Sequence, residues 1–223
     1  MESILEMKYK EYKSILNEYS NEIEINKSRF IANIKYCETE EESLAFIDEI
    51  RKMHRDATHN CTAYINGDIS NIQRYNDDGE PQGTAGIPML EVLKKEELTN
   101  LCVVVTRYFG GKKLGASGLI RAYGGAVSDV LRVSEIIEFK NYYKVKLVFD
   151  YNFLGKIDNY IGEQNFYIKQ RDYLEKIENI MYISVLKYQK FKEQLFEITS
   201  ANIDIKIIDE VLLKVRNGEI IDL

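Results

Sequence analysis

The most informative apolar pattern of the chain lies between residues 101 and 130. Residues 101–106 are a nearly continuous apolar run with three consecutive valines, a pattern typical of a strand covered on both faces. From about Gly115 onward, apolar residues recur every three or four positions through Leu119, Tyr123 and Val130, which predicts a helix with one buried face. The glycine-dense segment GGKKLG separates the predicted strand from the predicted helix. We therefore expect a buried strand, a tight turn and a helix in immediate succession.

Weaker periodicities on either side of this centre predict the remaining elements of a first domain. Residues 22–36 alternate as one or two strands, with a break at residues 27–29. Thr39 and Glu42 resemble a capping box, which predicts a helix running to about His54. Strands are predicted at residues 61–65 and 72–75, followed by a helix at residues 84–95. Residues 1–17 form a lead-in that is compatible with a short helix.

The pattern changes after residue 134. Strands are predicted at residues 142–151, 166–173, 180–188 and 203–215, and helices at residues 152–163 and 189–201. The order is βαββαβ, which is typical of a ferredoxin-like domain. We therefore predict an α+β protein of two domains, with residues 1–138 in the first and residues 139–223 in the second. The second domain contains no histidine, cysteine or proline and shows no evident chemistry.

Composition narrows the class of protein. The chain has 223 residues, of which 45% are hydrophobic and 30% charged, with a net charge of −6. This charge disfavours indiscriminate nucleic-acid binding by the whole surface but is compatible with a local basic patch. No run of eighteen apolar residues occurs and the first residues are charged, so we expect a cytoplasmic protein without a membrane segment. The three cysteines lack CxxC spacing and are expected to be buried, reduced thiols.

The central loop is the candidate site for an anion. The N-terminus of the predicted helix directs free N–H groups toward this loop, where Lys112, Lys113 and Arg121 add positive charge. The glycines resemble a phosphate loop, but Ala116 stands where that motif has its lysine, so nucleotide hydrolysis of that kind is not expected. Alternatively, the glycines only allow the helix to pack closely on the sheet.

Aromatic and arginine residues extend this candidate site. Arginine suits bidentate contacts to phosphate, and aromatic faces stack on unpaired bases. An equally weighted alternative is that Arg107 pairs with an acid of residues 76–86 and that the aromatic rings belong to the core. The candidate ligand or nucleic-acid site comprises Arg29, Arg107, Tyr108, Gly110, Gly111, Lys112, Lys113, Gly115, Ser117 and Arg121.

A second candidate site combines histidines and acids. His54 and His59 lie close in sequence, and Asp77, Asp78 and Glu80 occur in the glycine-rich segment NDDGEPQGTAG. If the two segments meet, these side chains provide groups for acid–base chemistry or for a divalent metal. The spacing matches no established metal motif, so we assign no metal and no cofactor. The favoured interpretation is structural, with a hydrogen-bonded His59 and acids that accept backbone N–H groups or pair with arginines.

Four motifs in this order make the chain resemble the YigZ/Impact family. They are SRFIA at residues 28–32, HRDATHNCTAY at residues 54–64, NDDGEPQGTAG at residues 76–86 and RYFGGKKLGASGLIRAYGGAV at residues 107–127. The resemblance implies a first domain like the second domain of a small-subunit ribosomal protein and domain IV of elongation factor G. It also implies a second, ferredoxin-like domain like those of the same elongation factor.

The resemblance also suggests functions. Together with the basic, glycine-rich loop, it favours a non-catalytic, translation-associated regulator that binds RNA, the ribosome or another phosphate-bearing ligand through that loop. A second alternative is a protein–protein regulator of translational stress signalling, as in Impact, which competes for an activator of an initiation-factor kinase. The lowest alternative is a metal-dependent hydrolase that uses His54, His59, Asp77, Asp78 and Glu80. The expected partners are RNA, the ribosome or a translation-regulatory protein, and we expect a monomer.

Overall fold

The computed structural model describes residues 7–221, which divide into two compact units. One unit comprises Tyr12–Glu138, and the other comprises residues 7–11 together with Phe139 onward. The sequence interpretation had placed residues 7–11 in the first domain, and residues 1–6 lie outside the described residues. Each unit combines helices with an antiparallel sheet, so the predicted two-domain α+β fold is confirmed.

The first unit is built on a five-stranded antiparallel sheet. A short strand β1 (Tyr12–Ile15) precedes it, in the region where the sequence was compatible with a helix. The sheet strands are β2 (Tyr19–Ile25), β3 (Ser28–Tyr36), β4 (His59–Asn66), β5 (Ile72–Asn76) and β6 (Leu101–Tyr108). Their spatial order is β2-β3-β6-β4-β5, which puts β6 in the centre. The break between β2 and β3 is a turn at Asn26 and Lys27, both with left-handed backbone.

Helices cover both faces of this sheet. They are α1 (Glu40–Met53), α2 (Gly86–Lys95) and α3 (Ala116–Val133). On one face, Val103 and Val105 of β6 share a core with α2 and α3. On the other face, Cys102 and Val104 pack with the apolar side of α1. The central valine run is therefore buried on both faces, as its sequence predicts.

The ends of the helices follow local chemistry. Thr39 Oγ1 accepts the N–H of Glu42 at 3.2 Å, so the predicted N-cap of α1 is confirmed, whereas the Glu42 carboxylate accepts the N–H of Glu38 at 2.7 Å. Helix α2 begins at Gly86, two residues later than predicted. The reason is that Asp77 accepts the N–H groups of residues just before the helix and thereby holds them in a turn.

The second unit has ferredoxin-like topology. Its elements are β7 (Ile136–Phe149), whose first three residues belong to the first unit, α4 (Leu154–Glu163), β8 (Ile168–Tyr173), β9 (Ile177–Ser184), α5 (Val185–Thr199), β10 (Ile203–Arg216) and β11 (Glu219–Ile220). The order β11-β10-β7-β9-β8 places the first and third strands of the βαββαβ motif in the middle, as expected. Helix α5 begins four residues earlier than predicted, because Tyr188 packs into the same core as Phe191 and Leu195 at helical spacing.

The structure bears on the expectations about membrane segments and about the cysteines. Across residues 7–221, no helix combines the length and apolar character that crossing a membrane requires. The cysteines Cys37, Cys61 and Cys102 are buried free thiols, as expected. Burial raises the pKa of Cys37 to about 11 and that of Cys61 to about 12, so these thiols are poor nucleophiles at neutral pH.

Candidate binding site at the end of the first sheet

The two glycine-rich segments of the first unit converge on one cavity of about 410 Å³. Glu80 and Pro81 come from the segment before α2, and Lys113 and Leu114 come from the segment before α3. The sheet contributes Arg107, the penultimate residue of β6. The complete lining is Thr58, His59, Glu80, Pro81, Arg107, Phe109, Lys113, Leu114, Gly115, Ala116 and Leu119.

A buried ion pair ties the two segments together. Arg107 Nη1 donates to Glu80 Oε1 at 2.6 Å, and the two side chains are only 6% and 3% exposed. The hydroxyl of Tyr123 donates to the same oxygen at 2.8 Å. Of the two alternatives for Arg107, the structure therefore shows pairing with an acid. The pair is neutral as a whole, so neither charge is left to attract a ligand by itself.

Tyr123 is a core residue, as its position on the apolar face of the predicted helix indicates. Its side chain is 0% exposed and packs edge-on against Phe30, with ring centroids 5.3 Å apart. Burial raises the pKa of the phenol, which therefore stays protonated and acts as a donor to Glu80. Phe109, by contrast, is 45% exposed and lines the cavity.

His59 presents one ring nitrogen toward the ion pair. Its Nδ1 lies 2.8 Å from the carbonyl oxygen of Asp78, which only accepts hydrogen bonds, so Nδ1 carries the proton. In the neutral ring Nε2 is then an acceptor, and it lies 3.8 Å from Glu80 Oε1. The Asp78 carbonyl therefore fixes the orientation of the ring, with Nε2 directed toward Glu80.

The other acids of this segment support the backbone. Asp77 accepts the N–H groups of Gly83, Ala85 and Gly86 through its two carboxylate oxygens at 2.7–3.1 Å. Asp78 accepts the N–H of Asn60 at 2.6 Å. These contacts agree with the structural interpretation of both residues, which fix the segment that carries Glu80.

His54 lies on the opposite face of the sheet from His59. Its Nδ1 is 3.0 Å from the hydroxyl of Tyr108, whereas His59 faces the pair formed by Arg107. Consecutive strand residues point to opposite faces, so Arg107 and Tyr108 direct the two histidines apart. Within residues 7–221, no three histidine, cysteine or acidic side chains are grouped to hold a metal ion. The set proposed for a hydrolase is therefore not assembled.

Arg29 belongs to the same face as His54. It pairs with Tyr108 in the β3–β6 register and lies 5.4 Å from the centre of that ring. Its guanidinium forms two hydrogen bonds to Glu22, at 2.8 and 2.9 Å. Arg29 and Tyr108 therefore do not line the cavity, although the sequence had grouped them with Arg107.

The start of α3 is the open, positively charged part of the site. The N–H groups of the first turn of any α-helix lack intrahelical partners. Helix α3 has no capping side chain that would accept one of them. Its N-cap, Gly115, has φ 72° and ψ 167°, a conformation that is essentially restricted to glycine. Lys112, Lys113, Ser117 and Arg121 are exposed, and the part of the chain that the structure describes offers the three cations no acidic partner. Of these, Lys113 lines the cavity, whereas Lys112 and Arg121 lie near it in sequence only.

Glycine is required where this loop crosses the β2–β3 turn. A Cβ atom on Gly110 would lie 2.0 Å from the carbonyl oxygen of Lys27, a distance that the backbone does not tolerate. The N–H of Gly110 donates to Ser28 Oγ at 3.2 Å. Gly111 has φ 83° but open space around it. The close approach positions the loop over the end of the sheet.

Several lining residues were not identified from the sequence. Thr58, Pro81 and Leu114 lie within the quoted motifs, but nothing in their chemistry or spacing indicates a cavity. Ser28 was missed too, although it begins one of the four motifs and accepts the N–H of Gly110. Motif membership was the one signal available for it.

The fold and cavity define a two-domain α+β protein with a candidate ligand site in its first unit, and comparison with known proteins gives the family. Residues 26–131 match the Impact N-terminal domain, and residues 147–202 match a domain of unknown function (DUF1949). IMPACT family member YvyE of Bacillus subtilis (strain 168) is 49% identical over 186 residues, which cover 83% of this chain and 86% of that protein. The chain therefore belongs to the IMPACT family.

Further relatives agree with this assignment. IMPACT family member YigZ of Escherichia coli (strain K12) is 33% identical over 84% of this chain and 93% of its own length. The Protein IMPACT homolog of Dictyostelium discoideum is 37% identical over 95 residues, or 40% of this chain and 26% of that protein. A solved structure titled "Crystal structure of an hypothetical protein" is 31% identical, covers 90% of this chain and 98% of its own, and has a TM-score of 0.58.

Proposed function

We propose that the chain is a non-catalytic, translation-associated regulatory protein that binds RNA through phosphate contacts at the start of α3. The observation that carries the proposal is the uncapped N-terminus of α3 at a cavity lined by Lys113. Main-chain N–H groups at a helix start bind phosphate, and the helix dipole adds to the attraction. Lys112 and Arg121 extend the same charge.

The distribution of charge supports RNA over a purely structural role. The chain as a whole is acidic, with a net charge of −6, yet Lys112, Lys113 and Arg121 lack acidic partners among the described residues. Other exposed cations of the unit, such as Lys52 and Lys95, also lack an acidic partner among the described residues, but they do not line the cavity. A cation beside the uncapped start of a helix attracts an anionic ligand.

Salt-dependent binding of a fluorescent single-stranded RNA tests this function. The logarithm of the affinity should fall linearly with the logarithm of the salt concentration, with a slope of about −0.7 for each phosphate neutralised. The triple variant Lys112→Ala/Lys113→Ala/Arg121→Ala should bind more weakly. The loss of three phosphate contacts should make its salt slope less negative by about 2. A control, Lys95→Ala/Lys187→Ala/Lys190→Ala, makes the same charge change on exposed lysines outside the cavity lining and should keep the slope. No binding, or equal effects of both triple variants, would refute the proposal.

A second candidate function is a protein–protein regulator of translational stress signalling. It is favoured by the match to the Dictyostelium Protein IMPACT homolog and by exposed apolar side chains of the first unit, such as Ile87 and Ile120. A regulator of this class should recover one defined partner from RNase-treated lysate, and Ile120→Glu should abolish the recovery. Recovery that RNase removes would favour the RNA-binding function instead.

A further inference from the structure

Phosphate binding uses Lys113 and the first turn of α3 but leaves most of the cavity unexplained. The remaining lining includes the apolar side chains of Pro81, Phe109, Leu114 and Leu119 beside four polar ones, Thr58, His59, Glu80 and Arg107. A phosphate group alone has no use for such a surface. This mixture of apolar walls with a few placed polar groups is typical of small-molecule sites.

The cavity has the size of a site for one small ligand. Its volume of about 410 Å³ falls within the range of about 300–1,000 Å³ that is usual for such sites. A base-paired duplex is too wide to enter, because its bases are enclosed between two backbones. Of the parts of an RNA chain, an unpaired nucleotide is the unit that fits.

Phe109 provides an aromatic wall. Its ring is 45% exposed, and the guanidinium carbon of Arg107 lies 5.5 Å from the ring centre. The ring therefore has one contact that orients it and a large surface that remains uncovered. Stacking between an aromatic side chain and a base is a common way of holding a single-stranded nucleotide.

The polar groups of the lining are incompletely satisfied. Arg107 is 5% exposed, and its Nε has no hydrogen-bond partner in residues 7–221. That nitrogen is itself buried, so a ligand in the cavity does not reach it, and the exposed Thr58 hydroxyl and Lys113 ammonium are the donors that the lining presents. The Glu80 carboxylate, in contrast, is an acceptor. The lining thus offers both hydrogen-bond donors and acceptors, as the edges of nucleobases do.

We infer that the cavity holds the base of one unpaired nucleotide against Phe109, Arg107 and His59, while the phosphate of that nucleotide lies at the start of α3 beside Lys113. This inference rests on the proposed RNA-binding function and names the unit of RNA that the site recognises. It predicts that the base and the phosphate each contribute to affinity at one site.

Calorimetric titration of the full chain with small probes tests the inference. The probes are the four ribonucleoside 5′-monophosphates, the matching nucleosides, ribose 5-phosphate and inorganic phosphate. At least one monophosphate should bind at least about tenfold more tightly than its nucleoside and than ribose 5-phosphate, since stacking on an aromatic ring and a charge-assisted phosphate contact are each worth about a factor of ten.

Two variants separate the halves of the site. Phe109→Ala should weaken the monophosphate about tenfold and leave ribose 5-phosphate unchanged, whereas Lys113→Ala should weaken both. Tyr167→Ala, an equally exposed aromatic residue in the second unit, should change neither. Circular dichroism of each variant confirms that it is folded.

Several results would overturn the inference while the proposed function stands. They are ribose 5-phosphate or inorganic phosphate binding as tightly as every monophosphate, Phe109→Ala binding monophosphates normally, or duplex RNA competing as well as single-stranded RNA. Loss of all salt-dependent RNA binding would instead refute the proposed function. The two failures are therefore distinguishable.

Discussion

Removing the charge of Glu80 should destabilise the first unit strongly. The side chain is 3% exposed, and its Oε1 accepts hydrogen bonds from Arg107 at 2.6 Å and from Tyr123 at 2.8 Å. Glu80→Gln keeps the shape but leaves the buried guanidinium without a counter-charge. Breaking one partner of a buried pair costs about 3–5 kcal/mol, and we expect the free energy of unfolding to fall by that amount.

Pulsed hydrogen–deuterium exchange at increasing urea concentrations measures this loss in the first unit by itself. The peptide that covers β6 should become exchange-labile at a lower urea concentration in Glu80→Gln. With a urea dependence of about 2 kcal/mol per molar, the midpoint should fall by about 2 M. The exposed pair of Glu22 and Arg29 supplies the control, because Glu22→Gln should shift the midpoint far less.

A double variant distinguishes the ion pair from simple packing. Replacing both partners, in Glu80→Leu/Arg107→Met, removes the uncompensated charge together with its partner. Such replacements are often close to neutral, so the double variant should be more stable than Glu80→Gln. A loss below about 1 kcal/mol for Glu80→Gln, or a double variant that loses the sum of both single variants, would refute the reasoning.

Three further predictions use the same urea assay. Gly110→Ala should cost at least about 1–3 kcal/mol because its Cβ atom would lie 2.0 Å from the Lys27 carbonyl oxygen, whereas Gly125→Ala, which has open space in α3, should be neutral or stabilising; equal effects would contradict the packing argument. Asp77→Ala removes the acceptor of three N–H groups at the start of α2 and should cost about 1–3 kcal/mol, with Asp77→Asn losing less. Burial, and secondly the Arg29 charge, lower the pKa of His54, so the unfolded chain binds more protons and stability should fall as the pH drops from about 7 through the unfolded value near 6.5 toward the lower folded pKa. His54→Asn should weaken the pH dependence of the urea midpoint between pH 5 and 7.5. An unchanged pH dependence in this variant would contradict the role of His54 titration in stability.

The periodic parts of the fold were predictable from the sequence. The valine run of β6 and the three- and four-residue spacing of α3 are local patterns, and each predicted element formed. The βαββαβ order of the second unit was predictable for the same reason. The start of α5 was misplaced because Val185 and Tyr188 suit a strand as well as a helix, and packing against Phe191 favoured the helix.

The candidate site was predictable only in part. One open alternative was that Arg107 pairs with an acid of residues 76–86, and the two glycine-rich segments do line one cavity. The motifs did not show that Arg29 and Tyr108 belong to the other face of the sheet. Alternation along β6 separates Arg107 from Tyr108, but the direction of each side chain depends on the sheet's packing.

Most elements, the family resemblance and the place where positive charge meets glycine follow from the sequence alone, because they are properties of neighbouring residues. The folded structure was needed to show that Glu80 neutralises Arg107, which is 27 residues away, and that no acid within residues 7–221 does so for Lys112, Lys113 or Arg121. The physical reason is that an ion pair depends on distance in space and on exclusion of water. Neither quantity follows from spacing along the chain. The sequence therefore did not show which cations of the loop lack an acidic partner.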